Sequence, residues 1–171
     1  IVDFSWSRTG SFGFTSIRRE NDALWAERIV NRDDEYVSGI AVYWRFLSEF
    51  SRKSGVIVEA EDPRVFSYLE NLYIYYQKFI PEKNDCELFI FRPKDNKTWK
   101  IISPFTMSGK NWTPFEYSGQ LRFIYSYNPE IILQIDLDEN LSELTSIILE
   151  GDKDFQPVWG DEFKSFGEVR G

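Results

Sequence analysis

Short runs of β-branched and aromatic residues, broken by polar turns, recur along most of the chain. Runs of about four to eight such residues between turn residues are typical of β-strands. Residues 21–30 also allow a short helix, residues 51–55 read as a turn, and a helical turn is the alternative for 144–149. The predicted strands span 36–46, 56–58, 65–68, 72–78, 86–91, 98–102, 115–117, 121–127, 131–136 and 144–149. The pattern therefore predicts an all-β fold.

Two segments, 61–77 and 110–126, read as copies of one unit. Phe66 in the first copy is matched by Phe115 in the second, 49 positions later. The same offset relates Tyr68 to Tyr117, Leu72 to Leu121 and Tyr76 to Tyr125. A repeat of about fifty residues with several strands is typical of a β-propeller blade. We therefore expect one propeller domain over 1–171, with blades at 1–58, 59–107 and 108–150 and the start of a next blade.

Composition narrows the classes of function. The net charge is −8 and the chain has no run of Lys or Arg, so we expect no nucleic acid partner. No apolar stretch approaches the length of a membrane span. The chain has no His, which removes Ser/His/Asp and Cys/His triads and most catalytic zinc sites, and we expect neither metal nor cofactor. Cellular compartment and oligomeric state stay open.

The ends of the chain suggest a fragment. It begins at Ile1 rather than Met and stops at Gly171 without a closing element. We expect a piece of a longer protein. The one cysteine, Cys86, excludes an intrachain disulfide.

The segment Glu61-Asp62-Pro63-Arg64 presents charge at the start of a predicted strand. A residue before proline is pushed into extended geometry, so we expect Asp62 to be extended. Alternation along the strand then places Arg64 on the same side as Asp62 and Glu61 on the other. An Arg beside a carboxylate holds it ionised or binds an anionic group of a ligand. The alternative is a turn with a surface ion pair.

The equivalent segment of the second copy offers a cation, an amide and an indole, from Lys110, Asn111 and Trp112. Lys and Asn hydrogen-bond sugar hydroxyls, and Trp stacks on the apolar face of a pyranose. The alternative is that Trp112 packs in the core and Lys110 is solvated. Glu116 is either a second carboxylate of this site or a solvent-facing strand residue, and we favour the latter.

At these two motifs the chain resembles the five-bladed β-propeller glycosidase superfamily, which includes arabinanases, β-xylosidases, invertases and β-mannoside phosphorylases. The sequence Glu-Asp-Pro-Arg-Val at 61–65 is similar to the Glu-Asp-Pro-Arg signature of the mannoside-phosphorylase branch. The stretches 110–116 and 123–129, with Gly119 between them, are similar to the next blade of that branch. The resemblance extends over about 36–137.

The resemblance implies a partial five-bladed propeller with about three blades present. It makes Asp62 the candidate general acid, with Glu61 and Arg64 as its neighbours in the sugar subsite. It places Lys110 where the phosphorylases hold a phosphate-binding cation. Those enzymes have His and Arg where this chain has Ser, Tyr and Asn at 126–128. Hydrolysis or glycan binding is therefore expected rather than phosphorolysis.

Three functions remain open at this point. The first is a glycoside hydrolase-like enzyme that uses inverting acid/base catalysis, for which no base is assigned. The second is a non-catalytic propeller that binds a glycan or a protein and is attached to a glycan-processing protein. The third is a β-sandwich carbohydrate-binding module, which does not predict the 49-residue repeat.

Overall fold

The computed structural model describes residues 6–8, 14–19, 22–31, 38–45, 53–106, 108–109, 112–127 and 129–151. Within these ranges the chain forms strands and turns, with one short 3₁₀ turn at Pro81–Lys83. The strands are β1 (Trp6–Arg8), β2 (Phe14–Arg19), β3 (Asp22–Asn31), β4 (Ser38–Arg45), β5 (Lys53–Val58), β6 (Glu61–Tyr68), β7 (Asn71–Ile80), β8 (Asp85–Arg92), β9 (Lys97–Ile102), β10 (Thr113–Tyr117), β11 (Gln120–Tyr127), β12 (Glu130–Ile135) and β13 (Glu143–Glu150). The prediction of an all-β fold is confirmed.

The strands form two hydrogen-bonded sheets. In the first, β1, β3, β4 and β5 are neighbours in that order, and β2 also pairs with β3. In the second, the order is β10-β11-β12-β13-β9-β8-β7-β6. This sheet contains two antiparallel meanders, β6 to β9 and β10 to β13, joined where β13 runs parallel to β9. It curves until its two edge strands approach each other, and the Tyr68 hydroxyl of β6 donates to the Gly119 carbonyl after β10 at 3.2 Å.

The two meanders and the first sheet are stacked in three layers around two cores. One core lies between the meanders and contains Tyr75, Trp99, Phe123 and Leu133. The other lies between the first sheet and the opposite face of β6 to β9. Residues of the second core are Leu24, Ala26, Ile40, Val42, Ala60, Leu72, Ile74, Tyr76 and Phe91. The β6–β9 meander is therefore the middle layer, and its strand β7 is buried on both faces.

This double burial explains the sequence of β7. Successive side chains of a strand point to opposite faces, so a strand with one solvated face alternates apolar and polar residues. From Leu72 to Gln77 every residue of β7 is buried, without alternation. Tyr73 and Tyr75 face the core between the meanders, whereas Ile74 and Tyr76 face the first sheet.

The 49-residue repeat corresponds to two hairpins with the same register. In the β6–β7 hairpin Phe66 pairs with Tyr73, and in the β10–β11 hairpin Phe115 pairs with Arg122. The turns also correspond, since both residues of each have positive φ: Leu69 (42°) and Glu70 (68°), then Ser118 (51°) and Gly119 (74°). Two successive positive φ values are typical of the type I′ turns that match the twist of a hairpin.

Several boundaries differ from the sequence-based expectations. Residues 22–31 form β3, so the helical alternative for 21–30 is wrong: tertiary pairing with β2 and β4 overrides local propensity. Part of the expected turn at 51–55 belongs to β5. Blades of a propeller are separate sheets. Here the pairing of β9 with β13 connects two of the expected blades into one sheet.

In the described ranges no helix is long and apolar enough to span a membrane.

Arg92 at the end of β8 connects two polar turns. Its guanidinium donates two hydrogen bonds to Asp95, at 2.8 and 2.7 Å. It donates two more to Glu139, one of them at 2.8 Å. It also lies over the Trp99 ring, 5.1 Å from the centroid. The hydrogen bonds to Arg92 lower the pKa of both Asp95 and Glu139. Arg92 is only 8% exposed, so the interaction is partly shielded from water.

Replacing Arg92 by Met is expected to lower the free energy of unfolding by about 1–2 kcal/mol at neutral pH, since both carboxylates are half-exposed and solvent screens them. The lowered pKa values mean that this contribution is present above the ordinary values, 3.8 for Asp95 and 4.5 for Glu139, and is lost as pH falls through the folded values. Urea unfolding of both proteins across pH measures the difference. A difference that grew on acidification would contradict this assignment.

Candidate functional site

The segment at the start of β6 contains a β-bulge. Glu61 pairs with Gln77, but the next paired residue on β6 is Arg64, which is opposite Tyr75. One extra residue is thus accommodated on β6, where Pro63 has no N–H for the ladder. Asp62 has a φ of 51°, in the left-handed region, so the expectation of extended geometry there is wrong. Such a φ is uncommon outside glycine, although Asp and Asn tolerate it better than other residues.

The bulge brings the two carboxylates to the same side of the strand. The Gln77 amide nitrogen donates to Glu61 Oε1 at 3.3 Å and to Asp62 Oδ2 at 3.1 Å. The expectation that Glu61 faces away from Asp62 is therefore wrong, because alternation fails where a residue is inserted. Glu61 is also bound to Arg28 of β3, with 3.1 Å between Nη2 and Oε2. Arg28 thus connects Glu61 to the first sheet, and Gln77 connects both carboxylates to β7 of the middle meander.

Arg64 does not serve as the partner of these carboxylates. The ion pair of Glu61 is with Arg28. The buried Nε of Arg64 has no hydrogen-bond partner in the described part of the chain. Arg64 lies opposite Tyr75, whose pKa is raised well above its ordinary value by burial, while the Trp112 backbone and the charge of Arg64 act in the opposite direction. Arg64 and Trp112 therefore both lie near Tyr75, whose buried hydroxyl has no hydrogen-bond partner among the described residues.

Lys110 and Asn111 lie outside the described residues, so their positions stay predictions. The chain just before them is held by Asp85, whose carboxylate accepts from the backbone N–H groups of Ser108 at 2.8 Å and Gly109 at 3.2 Å. Gly109 has a φ of 70°, and a Cβ there would come within 2.7 Å of the Tyr125 hydroxyl. This position requires glycine.

Trp112 is a core residue. It is 0% exposed and packs edge to face against Phe123 and Tyr125, with centroids 5.9 and 5.5 Å away. Its indole N–H donates to the Ser108 carbonyl at 3.0 Å. The expectation that Trp112 stacks on a sugar is corrected, because neither face of the ring is accessible. The alternative interpretation, Trp112 packing in the core, is the one observed.

Glu116 is exposed and lies at the opposite end of β6 from Asp62. Burial, and then the charge of Glu116, raises the pKa of the Tyr68 hydroxyl, and Tyr68 is the last residue of β6. Asp62 is the second residue of that strand. Glu116 is therefore the solvent-facing strand residue that we favoured, and it does not join Asp62 in one site.

The carboxylate pair determines which chemistry is available. Inverting glycosidases separate their two carboxyl groups by about 6.5–9.5 Å to accommodate a water. Two oxygens that share one nitrogen, at 3.3 and 3.1 Å, are closer than this. Glu61 and Asp62 are also adjacent and on one side of the strand, so they cannot flank a sugar. A second carboxyl group across a sugar from Asp62 would have to come from another element.

A pocket elsewhere in the described residues does not belong to this site. This pocket of about 220 Å³ is lined by the end of β7, the 3₁₀ turn, β8, β9 and the segment after β9, and its lining includes Lys83, Glu87 and Lys100. Lys100 and Glu87 are paired there at 2.8 Å. Among the described residues, no group of three His, Cys, Asp or Glu is arranged to hold a metal ion.

Gln77 and Arg28 are site residues that the sequence interpretation missed. Gln77 interrupts the apolar run of β7, and a polar residue in a strand buried on both faces was the available signal. Arg28 had no local signal, because its role depends on β3 lying beside β6.

A scan against protein-family models found no match for this chain, and a search of curated proteins found none either.

Proposed function

We propose that this chain is part of a five-bladed β-propeller that acts on glycosidic bonds by inverting acid/base catalysis, with Asp62 as the general acid. The observation that carries the proposal is the geometry at Asp62. A carboxylate is held on a bulge in a strained backbone conformation, with one oxygen bound by a fully buried amide. Backbone strain of about 1–3 kcal/mol persists where the surroundings impose it, and such residues cluster at active sites.

The stacking of the layers supports the propeller part of the proposal. Blades of a propeller pack face to face, and the middle meander packs on both neighbours in this way; the pairing of β13 with β9 is a departure from separate blades. Repeat-related residues also occupy equivalent faces: Leu72 packs toward the first sheet and Leu121 toward the middle meander, each facing the preceding layer. The outer face of β10–β13 carries partly exposed apolar residues, including Tyr117, Ile147 and Leu149, where a following blade would pack.

The relative position of the two leading segments supports the location of the site. Arg64, two residues after Asp62, lies opposite Tyr75, and Trp112 lies in the same core as Tyr75. The far ends of β6 and β10 are joined by the hydrogen bond from Tyr68 to Gly119. Trp112 directly follows Lys110 and Asn111 in the sequence. The starts of β6 and β10 therefore lie at one end of the stack. In a propeller this end would open onto the central axis, where a glycan would bind.

The proposed reaction follows from the chemistry of a carboxylic acid. Asp62 transfers its proton to the glycosidic oxygen as the bond from the anomeric carbon to that oxygen breaks, and the bonding electron pair stays on the oxygen. A water attacks the anomeric carbon from the opposite face and gives its proton to a base. Arg64 and Lys110 are proposed to bind substrate hydroxyls or an anionic substituent.

A non-catalytic glycan-binding propeller is the second candidate. The observation that favours it is that none of three other carboxylates is placed to act as a base across a water from Asp62. Glu61 is bound to Arg28, Asp85 holds two backbone amides, and Glu116 lies at the far end of β6. None of these three is free to serve as a base across a water from Asp62.

A panel of aryl glycosides, followed by proton NMR of the released sugar, tests the proposal on the full-length protein. We expect turnover of at least one member, with an anomeric configuration opposite to that of the substrate. Retention of configuration would contradict the inverting mechanism. Binding on a glycan array without turnover would support the second candidate, and neither turnover nor binding would contradict both.

A further inference from the structure

Gln77 is a buried polar residue whose role is not explained by packing alone. It is 0% exposed in a strand where all neighbours from Leu72 to Tyr76 are apolar or aromatic and buried. Burying an amide costs about 1–3 kcal/mol in proteins unless it is hydrogen-bonded. A Leu or Met of similar volume would fill the same space without this cost. The amide is therefore expected to serve the groups that it binds.

Those groups are the two carboxylates of the bulge. The nitrogen of Gln77 donates to Asp62 at 3.1 Å and to Glu61 at 3.3 Å. Because Glu61 is also bound to Arg28 at 3.1 Å, the amide has a fixed carboxylate on one side and Asp62 on the other. Asp62 is bound through Oδ2, and its other oxygen accepts no hydrogen bond from the described residues. The geometry thus fixes the direction of Asp62 and leaves one oxygen available.

The neutrality of the donor suits a general acid. A cation against Asp62 would stabilise the ionised carboxylate and oppose proton donation. An amide orients the carboxyl group in both protonation states, since Oδ2 can accept a hydrogen bond in either. The cation of this cluster, Arg28, contacts Glu61 instead. Gln77 itself has no exposed surface and cannot touch a substrate.

We propose that Gln77 is a positioning residue that aims the Asp62 carboxyl at the glycosidic oxygen. This inference rests on the proposed function. A misplacement of about 1 Å can reduce a rate by about 10²-fold, so loss of the amide lowers the rate of proton transfer without removing the acid. The loss of the Gln77 amide is therefore expected to slow only the reaction of substrates whose leaving group needs protonation.

The test compares two aryl glycosides of a sugar that the unmodified full-length protein turns over. Phenol is a poor leaving group that needs a proton, whereas dinitrophenol leaves without one. Gln77→Met keeps the volume and removes the donor. We expect kcat for the phenyl glycoside to fall about tenfold to a hundredfold, and kcat for the dinitrophenyl glycoside to change less than about twofold. KM is expected to stay within about twofold for both.

A matched control is Ser146→Ala. Ser146 is another buried polar residue, on β13, and its hydroxyl donates to the Ile102 carbonyl at 2.6 Å. Its loss is expected to lower stability measurably with no leaving-group dependence. If Gln77→Met does not fold, Gln77→Asn replaces it, since Asn keeps an amide that is too short to reach Asp62.

The outcomes are separable. Selective loss on the phenyl glycoside supports the positioning role. Equal loss on both substrates, or no loss, overturns it and makes Gln77 a purely structural residue while leaving Asp62 as the acid. Absence of turnover by the unmodified protein overturns the proposed function and this inference with it.

Discussion

Replacing Asp62 by Asn is expected to lower kcat for phenyl glycosides by about 10²–10⁴-fold, the range that general acid catalysis contributes. Asn has nearly the same shape, and it tolerates a positive φ such as the 51° observed at Asp62. Its side-chain oxygen can still accept from Gln77. The variant therefore removes the ionisable carboxyl group while keeping these contacts, and KM is expected to change little.

The comparison needs a control in which a carboxylate is lost elsewhere. Glu143 is exposed at the start of β13 and makes a suitable Glu143→Gln control, for which kcat is expected to be unchanged. Steady-state kinetics on the full-length protein, with thermal unfolding of each variant, measures both effects. Unchanged turnover in Asp62→Asn would remove Asp62 from the mechanism.

Replacing Trp112 by Ala is expected to lower the free energy of unfolding by about 3–5 kcal/mol, the usual cost of deleting a large buried aromatic ring. The indole is fully buried, packs against Phe123 and Tyr125, and donates to Ser108. The cavity would open in the core between the two meanders. Urea unfolding of the variant measures the loss.

Trp112→Phe provides the matched comparison. It keeps an aromatic ring in the core but loses the hydrogen bond to Ser108, so we expect a loss of about 1–2 kcal/mol. A stable Trp112→Ala protein with weakened glycan binding would show that Trp112 is a sugar-stacking residue and would contradict its burial.

The fold class was predictable because strand signals are local. Alternation and turn residues give most strand positions, and the matching of Phe66 with Phe115 correctly indicated two hairpins with one register. The parallel pairing of β13 with β9 was not predictable, because it joins residues distant in sequence through only three pairs, Glu143 to Thr145 with Lys100 to Ile102. Such a contact has no periodicity to reveal it.

The site was predictable only in part. The sequence indicated charge at Glu61 and Asp62. Strict alternation predicted that the two side chains point to opposite sides, which is wrong because of the bulge, and Pro63 was the only local signal of that bulge. For Trp112 the sequence left core and ligand roles open, and burial decides for the core. Gln77 and Arg28 were missed since their roles arise from layers that meet only in the folded chain.

The central claim is that a glycan reacts at Asp62, at the end of the stack where β6 begins. A crystal structure of the full-length Asp62→Asn variant with a bound oligosaccharide tests it most directly. We predict a glycosidic oxygen within about 2.6–3.2 Å of the substituted side chain at position 62, with Gln77 still bound to that side chain on its buried side. An oligosaccharide bound elsewhere, with residue 62 in contact only with protein, would contradict it.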